Sequence, residues 1–446
     1  MKRLLILATT LLAVDVATAA STAFFNVNVI PMTEERVIPG QTVIVEDGVI
    51  ALIGDVDDVP LPEDAVIVDG TDRYLMPGLA EMHAHVPDAA SDDLDRVLTL
   101  FAANGVTTIR GMLGQPSHLA LRQALLDGER FGPRLITSGP SLNGNSVAGP
   151  ADAERKVNDQ HLAGYDFLKI HPGLTAAEYK AIAVTANELG MPFAGHVPVA
   201  VGVEGVFEAG MATIDHLDGY MAALMPPEVD RSGGYGGFFD VLLADQVLES
   251  LIDDVVSATV SAGTWNVPTQ SLIEQLVNDE SVADLSSRAE NRYMPRATVQ
   301  RWAQAKESQL GERGFSPGIG ARAIEIRQKL ILALHRAGAG LLLGSDAPQI
   351  FNVPGFSAHR ELGFLVDAGL SPFEALQTGT TAPAEFLGLD TGAIVVGKEA
   401  DLVLLDANPL QDIANSRRVH GVMLRGTWHG HGDLRRRLEP FESVDD

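Results

Sequence analysis

Leu75-Met76-Pro77-Gly78-Leu79-Ala80-Glu81-Met82-His83-Ala84-His85 is the stretch on which the fold of this chain turns. An apolar run closing on His-x-His predicts a buried strand, because residues i and i+2 of an extended segment project to one face. Two imidazoles placed that way at a strand end can grip one metal ion from one side. A His-x-His pair also arises by chance, so its weight comes from the rest of the chain. Lys169, His196, His216 and Asp346 each close a short apolar run of their own.

Outward from that stretch, residues 76–388 alternate strand-like and helix-like patterns, the signature of βα units around a parallel sheet. Eight strands are predicted: Gly78–His85, Gly105–Arg110, Arg134–Ser138, Asp166–His171, Pro192–His196, Ala212–His216, Trp265–Gln270 and Gly340–Asp346. Eight is the number that an α/β chain needs for a (β/α)8 TIM barrel. Helix starts fall between them. Thr175-x-x-Glu178 reads as a capping box whose helix ends before Gly190, and Ser371-Pro372-Phe373-Glu374 joins an N-cap, a proline at N1 and the same box. The charged stretch 271–338 predicts helices projecting as a lid, and the tract Ser232-Gly233-Gly234-Tyr235-Gly236-Gly237 a loop beside it.

Short β-type runs flank this region on both sides. Phe25–Ile30, Thr42–Glu46, Val49–Ile53 and Ala65–Val68 precede it, and Ala393–Val396, Ala400–Leu405 and His420–Leu424 follow. Residues 21–75 and 389–446 are therefore expected to form one discontinuous β-sandwich domain. Lys2 and Arg3, the apolar stretch Leu4 to Val14, and Ala17-Thr18-Ala19 read as an export signal over residues 1–20. Export to a periplasm or to the medium is the expected localisation.

The net charge of −27 argues against nucleic acid or an anionic membrane as partners. No later stretch approaches the ~20 apolar residues of a spanning helix. The absence of cysteine excludes disulfides, thiolate ligands and a cysteine nucleophile.

Barrel enzymes build their sites at the C-terminal ends of the strands. His83 and His85 end the first predicted strand, Lys169 lies near the end of the fourth, and His196, His216 and Asp346 end the fifth, sixth and eighth. Nitrogen and oxygen donors without sulfur suit Zn2+, with Mn2+, Co2+ or Fe2+ also compatible.

With Gly344-Ser345-Asp346-Ala347-Pro348 and Gly397-Lys398-Glu399-Ala400-Asp401-Leu402-Val403 added to the opening stretch, the chain resembles the amidohydrolase superfamily. Its imidazolonepropionase-like and Xaa-Pro dipeptidase-like members are the nearest in pattern. The resemblance implies two divalent metal ions, His83, His85 and Asp346 holding the more buried one and His196 and His216 the second. It implies that Lys169 bridges both as a CO2-derived carbamate, which a lysine deprotonated by burial can form. Asp346 would also be catalytic, relaying a proton to the leaving amine. At one point the pattern departs: many relatives carry an aspartate after the strand-two arginine, where this chain has Gly111.

Four further residues are candidate substrate contacts: Arg110, for a substrate carboxylate, and His171, Tyr220 and His359. His118, His161, His335, His420, His429 and His431 read as surface or structural. The expected function is hydrolysis, by a metal-activated hydroxide, of the amide bond in a dipeptide or N-acyl amino acid, Xaa-Pro or ochratoxin-like substrates among them. Hydrolysis of a cyclic amide, as in imidazolonepropionase, and a non-catalytic binding protein on a retired barrel are the alternatives. A small-molecule amide with a carboxylate is the expected partner, and a homo-oligomer the expected assembly.

Overall fold

The computed structural model of the chain describes residues 21–226 and 238–442. The expected export signal and the glycine-rich tract 232–237 lie outside the described residues. No described helix is long and apolar enough to cross a membrane.

Five strands open the described chain: β1 (Thr22–Val29), β2 (Ile38–Glu46), β3 (Val49–Asp55), β4 (Val66–Asp69) and β5 (Tyr74–Pro77). Only Gly78 separates β5 from β6 (Leu79–Ala84), which carries His83. β7 (Val106–Gly111), β8 (Arg134–Thr137), β9 (Leu168–Ile170), β10 (Phe193–Gly195), β11 (Thr213–Asp215) and β12 (Trp265–Val267) follow, with helices between them. β13 (Leu402–Leu405), β14 (Val419–Leu424) and β15 (Thr427–Gly430) return near the C-terminus. The protein is α/β.

The middle strands pair in parallel as two sheets, β6-β7-β8 and β12-β11-β10-β9. Backbone bonding continues from one to the other. Ser138 bridges Phe167 between β8 and β9, and the Asp166 amide donates to the Thr137 carbonyl at 3.0 Å. The eighth predicted strand is too short of regular pairing to be one. It is an extended segment bonded on both sides: the Leu342 amide donates to the Asn266 carbonyl on β12 at 2.9 Å, and the Met82 amide on β6 donates to the Leu343 carbonyl at 2.7 Å.

The two ends of the chain do meet, through antiparallel pairing of β5 with β13. Their strands form one eight-stranded sheet in the order β15-β14-β13-β5-β1-β2-β3, where two separate sheets were expected. β1 forks, pairing β4 along its first half and β5 along its second. The sheet also curls. Flat, β1 and β15 would lie four strand spacings apart, about 19 Å. Yet the rings of Phe24 on β1 and Trp428 on β15 meet edge-on with centroids 5.1 Å apart. Phe24, Val43, Ile50, Leu402, Leu404 and Met423 are buried inside that curl.

Local signals are realised where they are self-contained. Thr175 and Ser371 each cap their helix, Ala176–Leu189 and Pro372–Thr378, with both hydrogen bonds of the capping box in place. The lid expectation needs correction. The helix Pro317–Arg336 packs Ala323, Ile326, Leu330, Ile331 and Leu334 into the main core, so it belongs to the wall around the sheets. Only the shorter helices before it, with Leu285, Tyr293 and Trp302, form a satellite cluster against Phe351 and Val353.

Candidate metal centre

β6 brings His83 to the middle of the molecule, where its imidazole stands between two carboxylates. Nε2 is 3.4 Å from Asp346 Oδ1 and Nδ1 is 3.1 Å from Asp215 Oδ2. His85 Nε2 lies 2.6 Å from the same Asp346 Oδ1. One atom each from His83, His85 and Asp346 thus fall within 4.8 Å of one another. His83 is buried, and Asp346 nearly so.

His216 and His196 extend the cluster. The His216 ring sits 4.4 Å from that of His83 and 4.7 Å from that of His196, and its Nδ1 is 3.9 Å from Asp346 Oδ2. Each is oriented by a partner: His216 Nδ1 by Thr269 Oγ1 at 2.9 Å, His196 Nδ1 by Asp218 Oδ2 at 3.1 Å. A ring nitrogen engaged in this way leaves the other to face a ligand. His171 stacks beside His196 at 4.9 Å.

Lys169 on β9 is fully buried, its Nζ 3.5 Å from Asp215 Oδ2. Its stem has room because Gly195 on the neighbouring strand lacks a side chain. A Cβ there would come within 2.9 Å of the lysine Cδ and 2.4 Å of the Ile170 carbonyl oxygen. The φ of +129° at that position is itself one that favours glycine.

Electrostatics follow from burial. Desolvation, then neighbouring Lys169 and the other imidazoles, holds His83 and His216 well below the ordinary histidine range. His171 is pushed down to about 2, by burial first and then Lys169. Each shift favours the neutral imidazole, the form whose free nitrogen can ligate a metal. Burial also lowers Lys169, against the opposing pull of Asp215 and Asp346. For Asp215 burial acts upward, but Arg110, Lys169 and His216 outweigh it and hold the carboxyl below its usual value.

Among the described residues, Asp346 Oδ1 and His83 Nδ1 are buried with no hydrogen-bond partner, although carboxylate and imidazole atoms lie beside them. Groups that close without aligning as donor and acceptor have lone pairs directed elsewhere. Two ligands each at ~2.1 Å from one cation stand about 3–3.5 Å apart; the 3.4 Å from His83 Nε2 to Asp346 Oδ1 falls in that range, and His85 Nε2 stands closer, at 2.6 Å. An all-nitrogen and oxygen donor set of this kind fits a divalent metal.

The positions of three expected substrate contacts correct their roles. Arg110 is buried at 1% exposure and engaged: Nη2 meets Asp215 Oδ1 at 3.2 Å, Nε donates to the Met82 carbonyl at 2.7 Å, and the guanidinium lies over Phe167 and Phe386. It acts as an internal counter-ion, with Nε and Nη2 both engaged inside the protein. Tyr220 is fully buried, its hydroxyl bonded to Thr259 and Asn266 at 2.9 Å each. His359 lies away from the cluster, bridging Ser416 Oγ and the Asn104 carbonyl at 2.9 Å each.

Sequence reasoning missed the residues that hold this arrangement. Asp215 touches His83, Lys169 and Arg110 at once, and adjoins His216 in the chain. Its inward direction hides behind that neighbour, since adjacent strand residues ordinarily face opposite ways. Glu81 accepts from the Ser345 amide at 2.6 Å and from its hydroxyl at 2.7 Å, clamping the His83 strand to the Asp346 segment. Its spacing of two from His83 was the available signal. Arg327 donates to the carbonyls of His216 and Pro268, both at 2.6 Å.

Comparison with known proteins agrees with this architecture. The sequence model of the amidohydrolase family matches residues 74–429. An ochratoxinase of Aspergillus niger is 24% identical over 401 residues, spanning 83% of this chain and 78% of that protein. Among solved structures, a bottromycin amidohydrolase superposes with a TM-score of 0.71 at 23% identity, over 94% of this chain and 90% of its own. A Xaa-Pro dipeptidase with methionine bound in its active site gives 0.65 at 20% identity, over 92% and 100%. With the family pattern spanning well over half of its length, the chain belongs to the amidohydrolase family.

Proposed function

We propose that the protein is an exported, metal-dependent hydrolase of an amide bond in a dipeptide or N-acyl amino acid. The observation that carries this is the convergence of His83, His85 and Asp346, with a buried Asp346 oxygen that has no hydrogen-bond partner among the described residues. Export rests on the basic, apolar and A-x-A segments of residues 1–20. The architecture in this reading is a (β/α)8 barrel, residues 76–388. It is flanked by a β-sandwich made from one curled sheet of residues 21–75 and 389–446. Assembly into a homo-oligomer belongs to the same reading.

His83, His85 and Asp346 would hold one divalent cation, and His196 and His216 a second, with Lys169 as a carbamate between them. Zn2+ is the best match to the donors. Such ions lower the pKa of water and polarise a carbonyl. The chain supplies the rest. Asp346 holds a proton taken from water and delivers it to the departing amine nitrogen. Asp218 and Thr269 fix the rings of His196 and His216. Glu81 keeps Asp346 in register with His83. Ochratoxinase and Xaa-Pro dipeptidase act on amides of this kind, which supports the choice of bond.

The test is metal-stripped protein reloaded with Zn2+, Mn2+ or Co2+ and offered Xaa-Pro dipeptides, Xaa-Phe dipeptides and N-acyl amino acids, scored by released amine. Turnover that returns with metal is expected. Asp346→Asn should abolish it while far-ultraviolet circular dichroism is unchanged, and Lys169→Ala should drop metal content from two ions per chain toward one. Full activity in the stripped protein would overturn the proposal.

A further inference from the structure

Phe239 lies against the two histidines assigned above to the second ion. Its ring is close to parallel with His196, 8° at 5.9 Å, and tilted 31° against His216 at 4.6 Å. Phe238 meets it edge-on at 4.2 Å and is 40% exposed, so apolar surface runs from the imidazoles outward to solvent. The backbone departs from its helix to achieve this. Phe239 (φ 51°, ψ 40°) and Asp240 (φ 59°, ψ 18°) are consecutive left-handed residues, neither of them glycine. Such conformations persist where the surroundings impose them, and they gather at functional sites.

Two carboxylates stand beside this wall. Asp218 accepts from His196 and from the Val197 amide, and Asp240 is largely buried near it. Among the described residues, Arg110 and Lys169 are engaged by Asp215 and Arg327 by backbone carbonyls. To an apolar group the ring face offers dispersion and stacking.

We infer that Phe239 is a specificity-determining residue, which seats a neutral aromatic or bulky aliphatic group of the substrate beside His196 and His216. The inference rests on the amide-hydrolase reading for the word substrate, and on the geometry alone for the seat. Two probes that resist amide hydrolysis separate the two: N-benzylmethanesulfonamide, neutral and aromatic, and N-(carboxymethyl)methanesulfonamide, anionic. Calorimetric titration of the metal-loaded wild type should show the benzyl probe binding. Phe239→Ala should weaken the benzyl probe by roughly three- to tenfold and leave the anionic probe unchanged, while Phe239→Leu keeps part of the preference. No binding of the benzyl probe to the wild type, or an unchanged benzyl affinity in both variants, overturns the role of Phe239. Preserved benzyl selectivity in a protein that cleaves no amide would uphold the seat and overturn the hydrolase reading instead.

Discussion

At the scale of single residues, the charge most exposed to removal is Asp215. It is the counter-ion of the buried Arg110 at 3.2 Å, stands 3.5 Å from Lys169 Nζ, and its Oδ1 also accepts from Thr213. Breaking a buried pair by deleting one partner costs about 3–5 kcal/mol, because the other charge is left without compensation. Asp215→Asn should therefore lose on the order of that amount in urea unfolding, and Arg110→Met in the same chain should recover part of it. A loss under about 1 kcal/mol would show that the pair is replaceable by amide and water. The candidate ligands were legible in the sequence because His83, His85, His196, His216 and Asp346 end apolar runs, a pattern that needs no knowledge of the fold. Asp215 and Arg110 were not legible in their true roles. What decides whether an arginine awaits a substrate or neutralises an internal acid is a contact across 105 residues of sequence.

Elements show the same division between local and distant causes. The capping boxes at Thr175 and Ser371 could be read directly, since donor and acceptor lie three residues apart. The strand ends could not. Alternation would send Asp215 and His216 to opposite faces, yet both reach His83, because the chain turns left-handed at His216 with φ +64°. Asp346 turns the same way, at φ +62°. Period-two patterning has no means of marking such a turn, which histidine and aspartate tolerate better than branched residues do. A different element carries a pH-dependent prediction. Glu361, on the helix Phe356–Asp367, accepts from the amides of Gln270 at 2.8 Å and Ser271 at 2.6 Å, capping the helix Gln270–Val277. Burial nevertheless raises its carboxyl from 4.5 to about 7. The folded state then binds a proton that the unfolded chain has released across that window. The stabilisation is fully present below the unfolded value and is lost as pH rises through about 7. Glu361→Gln should remove the decline, so the stability difference between wild type and variant should shift by on the order of 2–3 kcal/mol from about pH 4 to pH 8. Parallel stability curves for the two proteins over that range would contradict the assignment.

For the whole molecule, the question is whether the terminal sheet is an appendage or part of the same cooperative unit. The sequence made the meeting of the two ends legible, because β-type runs with turn signals bracket a region of another period. It could not reveal the curl that brings Phe24 to Trp428, since nothing in either run encodes a partner four strands away. The seam with the central strands is extensive. β5 runs into β6 across one glycine, the Gly78 amide donates to the Asp401 carbonyl at 2.9 Å, Arg134 on β8 pairs with Glu399, and Arg425 donates to the Gly132 carbonyl at 3.2 Å. Loosening the terminal sheet should therefore pull on the strand that carries His83. Phe24 is fully buried, and its replacement by alanine should cost about 3–5 kcal/mol. If the seam transmits that cost, near-ultraviolet circular dichroism, to which Trp265 and Trp302 of the central region contribute, and far-ultraviolet circular dichroism will shift together in Phe24→Ala. Both transitions should then move to lower denaturant and stay coincident. A split, with the central signal keeping its wild-type midpoint while part of the β signal melts early, would mean that the sheet unfolds alone and that the metal centre does not depend on it.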